Sequence, residues 1–435
     1  MKESFLKKID WITLLLYLIL IIIGWISIYA AVYDEQHKFI LDLTQRYGKQ
    51  ALWIGIAIFS GIIIFSLDIA AITSPVYLYY ALTILLMSLT YFIAPEIKGA
   101  KAWIQLGDFA LQPSEFAKIT TALALAKFLG NPYNPFGPKM RLIIASFIIL
   151  LPAIITLLQN DTGSALVFLS FIIVLHREQY IGNFLTIGIF LGILAILSLY
   201  FNEKVYDIAG LNISFHLLLS LILFVIFSLY LYSNKLKLRR NKSILRHTII
   251  LYIITLLVIW GTGLFFDHIL EPHQKVRINI LLGKEFDPKG SGYNLLQSLI
   301  AIGSGGLTGK GFLQGTQTKY NFVPEQSTDF IFCTIGEEWG FLGTSFFIII
   351  FIGLLFRIMY LAERQRSAFS RIYGYGLMAV LFFHFVINIG MTIGLMPVIG
   401  IPLPFISYGG SSMIAFSIFL FIFLKLDMER YYMIR

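Results

Sequence analysis

Residues 11–32 read WITLLLYLILIIIGWISIYAAV, from Trp11 to Val32, without one charged side chain. A helix this long in a soluble core would carry a polar stripe. A bilayer core needs about 20 consecutive apolar residues, and inside it every backbone amide and carbonyl must bond within the chain. The run is therefore read as a membrane-spanning helix. Phe346 to Phe356 has the same character. Of 435 residues, 58% are hydrophobic and 13% are charged, against roughly 25% charged in a soluble domain. Lys2, Lys7 and Lys8 precede the first run in the manner of a signal peptide. The run is long, lacks a small-residue cleavage site and is followed by more spans, so it reads as a retained first helix.

Working outward, apolar runs fall at 11–33, 51–69, 72–94, 112–129, 141–159, 163–176, 182–202, 213–234, 245–266, 328–355, 371–394 and 407–425. The fold class expected is all-α: a polytopic transmembrane helical bundle of about twelve spans, forming a single transmembrane domain over residues 1–435. The fourth and sixth runs are short, which suits tilted, broken or half-buried helices. The formal charge is +9. Its basic residues sit at the ends of the runs, where they act as topology signals rather than as a nucleic-acid surface. With the N-terminus in the cytoplasm, these clusters share one face: Lys139 and Arg141; Arg177; Lys235, Lys237, Arg239, Arg240, Lys242 and Arg246; Arg357, Arg364, Arg366 and Arg371; Lys425, Arg430 and Arg435. An even number of spans, with both termini cytoplasmic, follows from that bias. Seven histidines show no metal-ligand spacing, and Cys333 reads as a small buried hydrophobe.

The long non-spanning stretch is 267–327, an extracytoplasmic loop by the same count and the first place to look for chemistry. In it, Phe286-Asp287-Pro288-Lys289-Gly290 puts a carboxylate at a Pro/Gly turn, a position where solvated aspartates are common. In the run Ile302 to Gly311, Gly303 to Gly311 holds five glycines in nine residues. They permit close backbone approach and suit a nest for a lipid pyrophosphate, although the pattern is no P-loop. Glu325 and Asp329 stand at the mouth of the tenth run, Asp329 as a candidate cap. Glu337 and Glu338 lie inside that run, and Gly336 and Gly340 offer a packing seam.

Four further places carry polar groups into spans. Gln112-Pro113-Ser114-Glu115-Phe116-Ala117-Lys118 opens the fourth, with Glu115 and Lys118 on one face. They are either a structural ion pair or one wall of a substrate groove. Asp161 follows the fifth run, His384 and Asn388 share a face of the eleventh, and Pro397, Pro402 and Pro404 break the chain before Ser407 to Ser412. No Walker motif supports nucleotide hydrolysis. A transporter or an enzyme acting on a lipid-linked substrate remains.

Lys98 to Ile104 with Gln112 to Lys118, Gln159 to Ala165, Val276 to Gly340 and Pro397 to Ser412 together resemble the shape, elongation, division and sporulation (SEDS) family. Ile300 to Leu307, Gly309-Lys310-Gly311 and Gly315-Thr316-Gln317 are similar to its rod-shape branch more than to its division branch. The resemblance implies a peptidoglycan glycosyltransferase that polymerises lipid II on the outer face of the bacterial cytoplasmic (inner) membrane and releases undecaprenyl diphosphate. It implies Asp287 as the essential loop aspartate, and Glu115 and Lys118 as the family's helix-borne pair. Implied partners are a class B penicillin-binding protein and elongation machinery with MreB. The family core has ten spans, so the surplus pair lies within 182–266. Ala102 stands where arginine is usual, Asn160 where proline is usual and Thr162 where leucine is usual.

For the reaction, Asp287 is expected to act as general base. Arg277, Lys310 and Lys118, with a divalent cation (Mg or Mn) and no nucleotide, are the candidates to meet the pyrophosphate. Asp161, Glu325, Asp329, Glu338 and Ser411 complete the polar candidates. A lipid II flippase and a non-catalytic scaffold of the division or elongation complex are the rival readings.

Overall fold

The computed structural model describes residues 8–33, 39–97, 99–107, 109–201, 205–208, 211–235, 241–268, 275–276, 278–279, 291–320 and 322–430. Asp287 and Arg277 lie outside these residues. Each of the twelve apolar runs is largely helical where described, with breaks at Ser74–Pro75 and Ser170–Phe171. Among the described residues, nine helices are long and apolar enough to cross a membrane.

The chain divides into two units. The first holds residues 1–180 and 288–435. Its helices are α1 (Trp11–Ala31), α2 (Arg46–Ser66), α3 (Ile69–Thr73) and α4 (Val76–Ile93), then α5 (Pro113–Leu129), α6 (Pro138–Leu158), α7 (Thr162–Leu169) and α8 (Ile172–Arg177). After the second unit come α12 (Ser291–Ser304), α13 (Thr316–Lys319), α14 (Ile331–Glu363), α15 (Ala368–Thr392) and α16 (Gly410–Met428). A hairpin, β1 (Ile104–Leu106) and β2 (Phe109–Leu111), precedes α5 in antiparallel register with Gln105 opposite Ala110. The second unit, residues 181–287, holds α9 (Phe184–Tyr200), the hairpin β3 (Val205–Ile208) and β4 (Leu211–Ser214), α10 (Phe215–Ser233) and α11 (Lys242–His268), with α9 and α10 each against α11. The apolar runs within 182–266, where the surplus pair is expected, fall in this unit.

In the first unit the innermost elements are α5, α15 and α16. Small residues explain α5: Ala117, Thr120, Thr121, Ala122, Ala124 and Ala126 are all buried. Small side chains let helix backbones approach closely where no water drives them together. The sixth run is broken. Ser170 and Phe171 bond to Val167 and Phe168, a tightening to i→i+3 spacing that separates α7 from α8.

The loop expected over 267–327 is not structureless where it is described. Residues 291–304 form α12, whose apolar side packs on α14. The glycine run that follows is not a phosphate nest. Helix α14 is interrupted at Gly340, with φ 61 and ψ −158, a conformation open essentially to glycine alone. In an unbroken helix the amides of 341 and 342 would reach the carbonyls of 337 and 338. Here Phe341 and Leu342 donate to the carbonyls of Gly306 and Leu307 at 2.9 and 3.1 Å. The carbonyls of Glu337 and Glu338 accept from Lys310 and Gly311, both at 3.0 Å. The glycine run thus replaces two lost helical bonds with four new ones, and two of the amides expected to cradle phosphate are engaged. A Cβ on Gly305 would lie 2.0 Å from the Gly336 carbonyl oxygen, and one on Gly309 2.1 Å from that of Glu338.

The opposite end of the bundle is closed by ion pairs. Asp10 caps α1 through Thr13 and pairs with Arg357. Burial would raise the Asp10 carboxyl, but hydrogen bonds from Arg357 and Thr13 outweigh it and hold it below the usual range. Asp427 takes Arg364, Gln365 and Arg430, while Arg177 pairs with Glu363 and Arg371 with Glu178.

Gly309→Ala sets a Cβ into a backbone oxygen at φ +82 and should lose about 2 kcal/mol or more of stability. Gly303→Ala meets nothing within 4 Å and should be neutral or mildly stabilising, since it lies in a helix. Thermal unfolding of both variants in detergent checks the pair.

Candidate functional site

Polar residues from α5, α7, α15 and α16 meet at the end of the bundle opposite the ion-pair network. Proline at the first position of α5 starts the helix without needing an amide partner. Gln112, just before it, is the hub. Its side-chain amide donates to Asp161 Oδ2 at 2.8 Å, and its backbone amide donates to Ser411 Oγ at 3.1 Å. Ser411 Oγ in turn donates to the Ala110 carbonyl at 2.8 Å, tying the β2 strand to α16. Asp161 caps α7, accepting from the Ser164 amide at 2.9 Å.

One turn into α5 lies the pair expected from the i,i+3 spacing. Lys118 Nζ is 2.7 Å from Glu115 Oε1. Lys118 and Glu115 are 1% and 3% exposed, so the ion pair is buried among the described residues. A third group joins it: His384 Nε2 lies 3.0 Å from Lys118 Nζ, and His384 Nδ1 lies 2.9 Å from the Pro402 carbonyl. Phe416 presents its ring to both, 5.4 Å from the ammonium and 4.9 Å from the imidazole. Glu115 Oε2 is buried without a hydrogen-bond partner among the described residues.

The segment between α15 and α16 has proline-broken backbone, and its carbonyls need partners. Asn388 Nδ2 donates to the Ile401 carbonyl of that segment at 2.7 Å and to the Asp329 backbone carbonyl, just before α14, at 2.8 Å. Ser407 Oγ donates to the Thr328 carbonyl, and Tyr408 N donates to that of Ser327. Arg46 reaches Ser327 Oγ at 2.7 Å and lies over the Tyr408 ring.

Around the break in α14, Lys310 is not a free cation. It pairs with Glu337 Oε1 at 2.7 Å. The buried Glu337 carboxylate also accepts from the amides of Gln317 and Thr318, anchoring the start of α13. Glu338 accepts from the Leu313 amide at 3.1 Å, and its other oxygen is buried without a partner among the described residues. Asp329 does not cap α14, whose N-cap is Phe330. Glu325 sits at φ 53 and accepts from Thr328 Oγ1. The structure brings Gln112, Asp161, Glu115, Lys118 and Ser411, which the sequence analysis named separately, to one place. Sequence reasoning missed the contact between His384 and Lys118, for which one-turn spacing with Asn388 was the only local signal. Among the described residues, no three His, Cys, Asp or Glu side chains group to hold a metal ion.

Fold and site define a multi-pass helical membrane protein whose buried polar core is gathered at one end. The chain belongs to the FtsW/RodA/SpoVE family of cell cycle proteins, whose sequence model matches residues 10–211 and 216–432. It is 34% identical to the peptidoglycan glycosyltransferase RodA of Treponema pallidum, over 93% of this chain and 94% of that one. It is also 34% identical to the peptidoglycan glycosyltransferase MrdB of Escherichia coli K12, over 78% and 73%. Among solved structures it is similar to a chain of a peptidoglycan synthase complex, with a TM-score of 0.67 at 24% identity, covering 97% of this chain and 98% of that one. The rod shape determining protein RodA of Thermus thermophilus gives 0.59 at 23% identity, with the same coverage. These likenesses establish the shared fold.

Glu115→Gln should cost about 3–5 kcal/mol, because it leaves a buried ammonium without its counter-charge. The double variant Glu115→Gln, Lys118→Met should recover part of that loss. Thermal unfolding of the single and double variants checks both.

Proposed function

We propose that the protein is a peptidoglycan glycosyltransferase that polymerises lipid II into glycan strands for cell elongation and rod shape. The observation that carries this reading is 34% identity across 93% of the chain to a relative bearing that activity in its name. The polar core around Glu115, Lys118 and Asp161 supports it.

In the reaction, Asp287 takes the proton from the 4-hydroxyl of the acceptor sugar. The freed oxygen forms a bond to the anomeric carbon of the donor. The bond from that carbon to the pyrophosphate oxygen breaks, and undecaprenyl diphosphate leaves with its electron pair. Arg277 is the loop cation assigned to the departing phosphates. Lys310 is a weaker candidate because Glu337 already engages it. A divalent cation suits a pyrophosphate leaving group. The described residues offer no ligand set for one, so no step is assigned to it. Chelation followed by Mg or Mn addition tests that requirement.

The site faces outward from the bacterial cytoplasmic membrane, with both termini in the cytoplasm. The clustering of Arg177, Arg357, Arg364, Arg371 and Arg430 in ion pairs at one end of the bundle supports that orientation. A class B penicillin-binding protein is the partner that crosslinks the product, within elongation machinery that includes MreB. The fold shared with a chain of a peptidoglycan synthase complex supports the first of these partners.

Purified protein with its partner and lipid II should give long glycan strands, resolved on a gel. Asp287→Ala should abolish them while the variant remains folded and bound to its partner. Full activity in that variant would remove Asp287 as the base. No strands from wild type would remove the polymerase reading.

A further inference from the structure

His384 lies between a group that only donates and a group that only accepts. The Lys118 ammonium has no lone pair, so His384 Nε2 at 3.0 Å must carry one. The Pro402 carbonyl has no proton, so His384 Nδ1 at 2.9 Å must carry the hydrogen. Both contacts are satisfied together only by the neutral ring protonated at Nδ1. An imidazolium would turn an N–H toward an ammonium. The ring is 1% exposed and rests edge-on against Phe416 at 4.9 Å and 84°, so its orientation is held on three sides.

Tying down the proline-broken segment does not by itself require this residue. Asn388, one turn along α15, already binds the Ile401 carbonyl beside Pro402. What His384 adds is an acceptor for a second N–H of Lys118, whose first goes to Glu115. The segment held by Pro402 leads directly into Ser411, which accepts from Gln112, three residues before Glu115. Lys118, His384, Pro402, Ser411 and Gln112 therefore close a ring linking α5, α15 and α16.

We propose that His384 is a positioning residue for glycan polymerisation, fixing the Lys118 ammonium against Glu115 through its Nε2 lone pair. The proposal rests on the polymerase reading above. Two amide substitutions separate its two bonds. In His384→Asn the side-chain amide reaches only the Nδ1 position, keeping the Pro402 bond and losing Lys118. In His384→Gln it reaches the Nε2 position, where its oxygen accepts from Lys118 and the Pro402 bond is lost.

Turnover is measured over a range of lipid II concentrations up to saturation, with the penicillin-binding partner present and folding checked by thermal unfolding. His384→Asn should lower kcat by about tenfold to a hundredfold, the equivalent of a lost charged hydrogen bond, with little change in KM. His384→Gln should stay within about threefold of wild type, the residue of a neutral bond lost at Pro402. An active Asn variant, or equal impairment of both, overturns the proposal. Nitrogen NMR of 15N-histidine protein, with His384→Asn assigning the signal, should show the neutral ring protonated at Nδ1. An imidazolium or the other tautomer also overturns it. Wild type that makes no glycan but shows this signal would sink the polymerase reading and leave the Lys118–His384 contact standing.

Discussion

At Gly340 the chain leaves helical geometry inside the longest helix of the bundle, and two amides and two carbonyls lose their helical partners. Hydrocarbon offers no water to replace them, and each orphan would cost several kcal/mol. The run 303–311 satisfies all four. It does so only because Gly305 and Gly309 let two backbones touch at distances no side chain permits. Once that run is fixed, Lys310 is carried onto Glu337, and Glu337 onto the first amides of α13. The order of the stretch from α12 to α13 therefore follows from one broken helix.

The same constraint governs the other irregular segment. Between α15 and α16 the prolines withhold amides, and the exposed carbonyls fall to side chains of α15. Side chains able to make such bonds are polar, so a polar α15 is the consequence of a broken neighbour. Placing Lys118 beside them then becomes feasible. An isolated ammonium this deeply buried would be prohibitively costly. With Glu115, His384 and the face of Phe416 around it, most of its lost hydration is replaced.

The helices were legible in the sequence because apolar length is a local property, and each of the twelve runs is largely helical where described. The Glu115–Lys118 pair was legible for the same reason, since i,i+3 spacing fixes a shared face. Contacts between distant residues left no such trace. Lys118 and His384 are 266 positions apart, and Asp10 and Arg357 are 347 apart. The glycine run misled in an instructive way. Its composition signals close backbone approach, but composition does not say whether the approaching group is a phosphate or another stretch of chain. The broken helix decides that, and a glycine inside an apolar run does not announce a break.

The position of the buried polar groups also bears on the rival flippase reading. Such a protein needs a polar route from one membrane face to the other. Here Gln112, Asp161, Lys118 and His384 gather toward one end, while Arg371 and Asp427 belong to the other. Between His384 and Arg371 run about 20 Å of α15. Val380, Leu377 and Tyr373 along it, and Phe419 and Phe423 of α16, are all at most 1% exposed, and the Tyr373 ring packs on Phe419 at 5.2 Å. Tyr373 spends its hydroxyl on the Phe419 carbonyl at 3.1 Å. A sugar-bearing headgroup would have to part this packing, whereas a polymerase needs its polar groups only where the sugars react. Along α15 and α16, the described structure favours chemistry at one face over passage through the bilayer.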